Sequence, residues 1–322
     1  MIASTPVARW TWGDFIEGED QILRCLGDLL AAQAVLASHR LVIGEPRTRL
    51  TVSESGKPRS ALYQGELAAD GSAEELAAVV RAAMRPGPIG SADATLFPAG
   101  ELFGPEGEVR TEGLFGLSAT TYTDFAAVEL VTYSDAWMPF DLRGRPQPAV
   151  HEANAPRLAA ALAELTEALG SDLDPEDPTY FGTPTETGVD PQFDQDGTPS
   201  DTWSRFELVR RYGDFTHAPG LGHIGYRRTA AGDVRYIPIA DEHGTLGYLW
   251  ASDAENAASF EPLDVDHDER HRAALGWLDR LRSAYDRNLS PTQALTELTG
   301  RSPEAADGPV ALSALRAQAE ES

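Results

Sequence analysis

The stretch Gly222–Trp250 limits the fold more than any other part of the chain. It holds three short runs of alternating character, Ile224, Tyr226 and Arg228, then Val234, Tyr236 and Ile237 to Ile239, then Leu246, Tyr248 and Trp250. The turn signals A-G-D and E-H-G-T separate them. Period-two patterning between such breaks predicts an antiparallel meander. A meander with one apolar face needs a cover, and His267–Arg287 supplies a helix with Ala274, Leu278, Leu281 and Tyr285 on one side. Arg272, Asp279, Arg282 and Asp286 occupy the other side, so the pattern is that of a sheet capped by an amphipathic helix.

The same reading extends along the chain. Trp10, Trp12 and Phe15 precede a helix over about Glu19–Ala37, with Ile22, Leu26, Leu29 and Leu30 on one face; the two tryptophans are expected to pack on its start, with an aromatic binding platform as the alternative. Leu41–Ile43, Thr48–Ser53 and Ser60–Leu67 read as short strands. Ser72 with Glu75 forms a capping box ahead of Leu76, Val79, Val80 and Ala83. Thr95–Tyr133 is β-like, and a helix over Asn154–Leu169 has Asn154 as N-cap, Pro156 in the first turn and Gly170 as its stop. Trp203–Tyr212 reads as a strand or short helix, Ser290 caps another helix, and Val310–Ala319 is amphipathic. The fold expected is α+β, with antiparallel sheets packed against amphipathic helices. Residues 1–170 and 203–322 form its two parts, joined by an acidic, proline-rich segment at 171–202. An S-D-A echo, at Val131–Leu169 and again at Leu246–Tyr285, is compatible with two related sheet-plus-helix units, but three shared letters are better read as coincidence.

Charge narrows the function. With 51 Asp and Glu against 26 Lys and Arg in 322 residues, the net charge of −25 repels nucleic acid and anionic membrane and attracts a basic partner. The one lysine, Lys57, is followed by proline, which removes a Walker-type phosphate loop. The single cysteine, Cys25, leaves no internal disulfide or multi-cysteine metal site and reads as core. No leader or membrane span is expected, so the chain is placed in the cytoplasm. No cofactor is called for, and the sequence carries no signal of oligomeric state.

Several motifs combine a candidate chemical role with a plain structural one. Gly220, Gly222 and Gly225 match G-x-G-x-x-G but enter an expected hairpin, where turn glycines suffice. His267 and His271 have the i, i+4 spacing of a zinc pair, with Asp268 where a metalloprotease keeps its base. Asp194 and Asp196 before Gly197 lack the first and last ligands of a calcium loop, which leaves a looser cation site with Asp190 and Asp201. Asp135, Trp137, Asp141 and Arg143 cluster after a strong strand, and Trp250, Asp253, Glu255 and Asn256 do the same further on.

The run G-Y-L-W-A-S-D-A-E-N-A-A-S-F-E-P, Gly247–Pro262, resembles segments of uncharacterised high-GC bacterial proteins, and its acidic α+β character is similar to that of immunity proteins of polymorphic toxin systems. The resemblance spans at most Gly244–Leu298 and has no motif whose residues transfer. It implies a non-catalytic immunity or antitoxin protein that occludes a basic toxin. The expected partner-binding residues are Asp174, Glu176, Tyr180, Phe181, Asp194 and Asp196, with Asp135 and Trp137. Alternatives are a metal-assisted hydrolase using His267 and His271, and a cytoplasmic scaffold or regulator.

Overall fold

The structure is a computed structural model that describes residues 1–44, 46–68, 71–105, 107–216, 223–242, 244–301 and 309–320. The chain divides into two compact units, Met1–Trp203 and Ser204–Ser322. The α+β class expected from the patterning is what the chain adopts.

The first unit runs β1 (Ala8–Phe15), α1 (Gln21–Ser38), β2 (Arg47–Glu54), β3 (Lys57–Ala68), α2 (Ala73–Ala83), β4 (Ile89–Leu96), β5 (Gly100–Gly104), β6 (Gly107–Thr111), β7 (Phe115–Thr121), β8 (Phe125–Thr132), α3 (Pro148–Leu169), β9 (Leu173–Pro175), β10 (Gly182–Thr185) and β11 (Gly188–Pro191). Seven of these strands form an antiparallel sheet in the order β3-β2-β4-β7-β8-β1-β9. Alternate residues of each strand point to one face, so Trp10, Trp12, Leu50, Ala94, Leu117, Ala119, Val128 and Leu130 make a continuous buried layer. Ile22, Cys25, Leu26 and Leu29 of α1 pack in the same core. Ala119 is small enough for α1 to approach closely, and the Cys25 thiol donates to its carbonyl at 3.2 Å. Burial pushes that thiol's pKa up, which makes Cys25 an inert core residue.

Local signals explain most helix ends. The Asp20 side chain accepts from the amides of Ile22 and Leu23 at the start of α1, and the Ser72–Glu75 capping box opens α2 as expected. Three expectations need correcting in this unit. Trp10 and Trp12 lie in a strand and do not pack as a prelude to α1: their indoles donate to the Thr185 carbonyl and to the Thr166 hydroxyl on α3. Leu41 and Val42 donate to the Leu36 carbonyl and close the end of α1, so only a single bridge, Ile43 to Ala99, is left of the strand expected there. The helix α3 begins at Pro148, well before Asn154. Asn154 is a buried interior residue whose amide donates to the Phe103 and Val150 carbonyls while its side-chain oxygen accepts from the Phe103 amide. A tertiary pairing with β5 thus overrides the capping preference of asparagine.

Residues 171–202 lie within the first unit. Its acids and prolines build β9 on the sheet edge, the hairpin β10–β11 and a turn closed by a Phe193 to Pro199 bridge. The single π-helical turn Trp203–Glu207 then leads into α4 (Leu208–Thr216).

The second unit continues with β12 (Asp233–Asp241), β13 (Gly244–Ser252), β14 (Ala257–Pro262), α5 (Asp268–Asp286), α6 (Pro291–Thr299), β15 (Val310–Ala311) and α7 (Leu312–Glu320). Its sheet has the order β14-β13-β12-β15. The meander is present, but its third strand is β14 and not Ile224–Arg228, where Arg227 makes one bridge to Ala257. One sheet face carries Ile237, Ile239, Leu249, Ala251, Ala258 and Phe260 into a core with Phe215, Ala274, Leu278, Leu281 and Leu295. Tyr285 is 40% exposed, and Ala284 completes the buried stripe of α5 in its place. The other face packs Val234, Tyr248, Trp250 and Ala257 against Leu312, Leu315 and Ala319 of α7.

The two sheets are not copies of one unit. Ser134, Asp135 and Ala136 follow β8 on the way to α3, whereas Ser252, Asp253 and Ala254 turn β13 into β14.

Two outcomes follow from this packing. Asn154→Ala strands the Phe103 backbone groups and is expected to cost about 1–3 kcal/mol in urea denaturation. Burial pushes the Glu261 carboxyl above its ordinary value of 4.5, against the opposing pull of Arg316 and the Trp250 donor. A raised carboxyl contributes stability that is fully present below its unfolded pKa and is lost as pH rises through the folded one. Glu261→Gln is therefore expected to flatten the stability–pH profile just above pH 4.5, measured by urea melts across that range.

Candidate binding face

The helices α1 and α3 cover one face of the seven-stranded sheet, and strand parity sends the remaining side chains to the opposite face. The pairing registers align these into rows that cross the strands. Arg49, Thr95, Ser118, Glu129, Thr11 and Asp174 form one row. Thr51, Asp93, Thr120, Ala127 and Gly13 form the next. Every residue of both rows is half-buried or exposed, and most are small or hydroxylated. From β2 to β9 such a row spans about 24 Å at the usual inter-strand spacing of roughly 4.8 Å.

Aromatic side chains flank these rows on both sides along the strand direction. On one side Phe97, 63% exposed, lies over Gly116, where an added Cβ would come within 3.0 Å of its ring. On the other side Phe125 covers Gly13 at 2.6 Å from the position of a Cβ and meets Phe15 edge-on at 5.6 Å between ring centres. Phe15 is 81% exposed and Tyr122 is 50% exposed. Both glycines are needed for the close approach of a ring to the backbone. The result is a polar trough about 13 Å along the strands, from Gly116 to Thr120, walled by aromatic rings.

The trough carries charge of both signs with acids in excess at its β9 side. Glu129 accepts from Arg9 at 3.1 Å, Asp93 accepts from the Ser91 hydroxyl at 3.0 Å, and Glu176 accepts from the Thr11 hydroxyl at 2.8 Å. Asp174 lies beside Thr11 and is exposed. These carboxylates sit at the surface, so their field reaches solvent with ordinary screening.

The residues expected from the sequence separate into two groups. Asp174 lies on the trough's edge strand, Glu176 directly follows that strand, and Tyr180 is 68% exposed in the loop beyond. Phe181, by contrast, is buried at 2% exposure. Asp194 and Asp196 serve their own turn: Asp194 accepts from the Ser200 hydroxyl, and Asp196 accepts from the Thr198 amide and hydroxyl. Those bonds hold the Asp196 carboxyl below its usual range. Asp135 and Trp137 are buried and do not reach a surface. Asp135 accepts from the Leu142 amide and the Met1 ammonium, with its pKa raised by burial, while the Trp137 indole donates to Thr132 and stacks on Phe115. Asp141 accepts from the Arg143 and Arg145 amides and shapes a loop. Phe15, Phe97, Tyr122, Asp93 and Glu129 were not foreseen. The alternation in W-T-W-G-D-F points to Phe15, because the tryptophans and Phe15 fall on opposite parities.

In the second unit the zinc-pair geometry is not built. His267 is the extended residue before α5 and is exposed, whereas His271 is buried against Phe215 with its Nε2 3.4 Å from Asp214. Asp264, His267, Asp268, Glu269, Arg270 and Arg272 line an open cleft of about 620 Å³. Among the described residues no group of three or more His, Cys, Asp or Glu is placed to hold a metal ion. Gly220 and Gly222 lie outside the described residues, and Gly225 faces the Tyr285 ring at φ +88°. Asp253 accepts from Thr292 and Glu255 from the Ala231 and Gly232 amides, which are structural duties. Among the described residues no helix is long and apolar enough to cross a membrane.

Comparison of the chain with protein-family models, with curated proteins and with solved structures finds no significant match.

The exposed rings test whether the trough is a surface or a core. Phe15→Ala and Phe97→Ala are expected to change unfolding free energy by less than about 0.5 kcal/mol, whereas Trp137→Ala should cost about 3–5 kcal/mol, both read from urea denaturation.

Proposed function

We propose that this chain is a non-catalytic acidic binding protein of immunity or antitoxin type, which occludes a basic protein with the open face of its seven-stranded sheet. The observation that carries the reading is the trough itself: carboxylates of Asp93, Glu129, Asp174 and Glu176 between exposed aromatic walls. Rings lie over both ends of its span of about 13 Å, so the floor left open between them admits an extended segment and not a whole α-helix, which with its side chains is roughly 10–12 Å across. A net charge of −25 steers a basic protein toward the chain and raises the encounter rate. Desolvated rings such as Phe15 and Phe97 then supply the short-range contacts that slow dissociation. Small hydroxylated residues on the trough floor offer hydrogen bonds without obstructing approach.

The division of labour is separable by experiment. The tagged protein is used to capture partners from its native extract at low and high salt, and the bound protein is identified and its binding kinetics measured. Asp93→Asn/Glu129→Gln/Asp174→Asn/Glu176→Gln is expected to slow low-salt association about tenfold and to flatten its salt dependence. Phe15→Ala/Phe97→Ala is expected to raise the dissociation rate about tenfold, which is roughly 1.4 kcal/mol. A captured partner indifferent to both sets would overturn the proposal, as would capture that depends on His267 and His271 instead.

A further inference from the structure

The face of the second unit's sheet that lies beneath α7 has features a plain core lacks. Register places Tyr236, Trp250 and Ser259 in one row and Pro238, Tyr248 and Glu261 in the next. Tyr236 and Tyr248 meet edge-on at 5.5 Å. Glu261, 4% exposed, receives the Trp250 indole N–H at 2.9 Å and the Arg316 guanidinium at 3.1 Å. An aromatic floor with one buried carboxylate is the chemistry that recognises an arginine, whose planar fork stacks on rings while it donates to an acid.

Arg316 of α7 fills this site imperfectly. The Ser259 hydroxyl is fully buried on the same face and has no hydrogen-bond partner among the described residues, and the Nε of Arg316 is likewise buried and unmatched among them. Each such group carries a desolvation cost that a better-fitting occupant removes. The element that closes the site is also slight. α7 has nine residues, below the length at which a helix holds itself in water, and β15 pairs only Val310 and Ala311 with Val234 and Asp233. Leu312, Leu315 and Ala319, with Val310 beside them, and one bond of 3.3 Å from the Gln318 amide to the Tyr248 hydroxyl dock it besides Arg316.

The geometry points to an arginine-binding groove on the β12–β14 sheet that α7 occupies in cis, and that an arginine-bearing amphipathic helix of a basic protein enters by displacing α7. Charge selects that occupant over a second copy of this chain, since two bodies of net charge −25 repel one another. The groove is separate from the trough of the first unit, so its failure would leave that reading standing.

The test uses the full chain and a labelled peptide of this chain's residues 309–320 as the arginine-bearing helix. Leu315→Glu/Arg316→Ala in the full chain removes the cis knob and charge while leaving every groove residue in place. This opened chain is expected to bind the peptide at least tenfold more tightly than the unmodified chain does. The peptide carrying Arg316→Ala should bind at least tenfold more weakly, and adding Glu261→Gln to the opened chain should abolish uptake. No gain in the opened chain, or binding indifferent to the arginine and to Glu261, overturns the proposal. So does sedimentation showing an unmodified dimer that the opening substitutions dissociate, which would make a second copy the occupant. Should the opened chain fail to fold, hydrogen exchange on the unmodified protein decides: α7 amides are expected to exchange at least tenfold faster than those of α5, and equal protection would refute displacement.

Discussion

Side-chain parity in the seven-stranded sheet is the constraint on which the first unit depends. In an antiparallel ladder each residue is committed to one face, and a slip of one residue would send the whole apolar layer to solvent. Here Trp10, Trp12, Leu117, Val128 and Leu130 hold that register by burial against α1 and α3. The same commitment places Thr11, Gly13, Ser118, Thr120, Glu129 and Phe15 on the far side. The open face is thus a consequence of how the core is built, with its composition left to serve another purpose.

That composition is unlike a simple solvated face. A sheet surface that only needs solubility carries long charged side chains, which also blunt association. This one carries small hydroxylated residues in its middle and leaves Phe15, Phe97 and Tyr122 standing in solvent at its ends. Gly13 and Gly116 let Phe125 and Phe97 lie down on the backbone, so these rings have defined positions in the chain by itself. Preorganised aromatics lose little entropy on binding, which is what makes them effective anchors.

The acidic balance of the chain acts at two ranges. At long range the net charge favours basic partners whichever carboxylates supply it. At short range many carboxylates are already engaged: Asp135 and Glu261 in buried pairs, Asp196 in a turn, Glu207 with Arg211 in the second unit at 2.7 Å. Composition therefore sets the sign of the long-range field without locating a surface: burial removes Asp135, and the turn bonds from Ser200 and Thr198 engage Asp194 and Asp196, whereas Asp174 and Glu176 stand exposed beside the sheet.

Local periodicity and capping chemistry by themselves determined the α+β class, the cores of α1, α5 and α6, the capping boxes at Ser72 and Ser290, the helix stop at Gly170 and the burial of Cys25. These depend on neighbours a few residues apart, which a sequence displays directly. Tertiary structure decided the rest. It converted Asn154 from a cap to an interior bridge, replaced Ile224–Arg228 by β14 as the third strand of the meander, and buried Phe181 and Trp137 while exposing Phe15 and Phe97. Each of those outcomes turns on contacts between residues far apart in the chain, such as Asn154 with Phe103 or Phe97 with Gly116, which patterning over a few neighbouring residues does not encode.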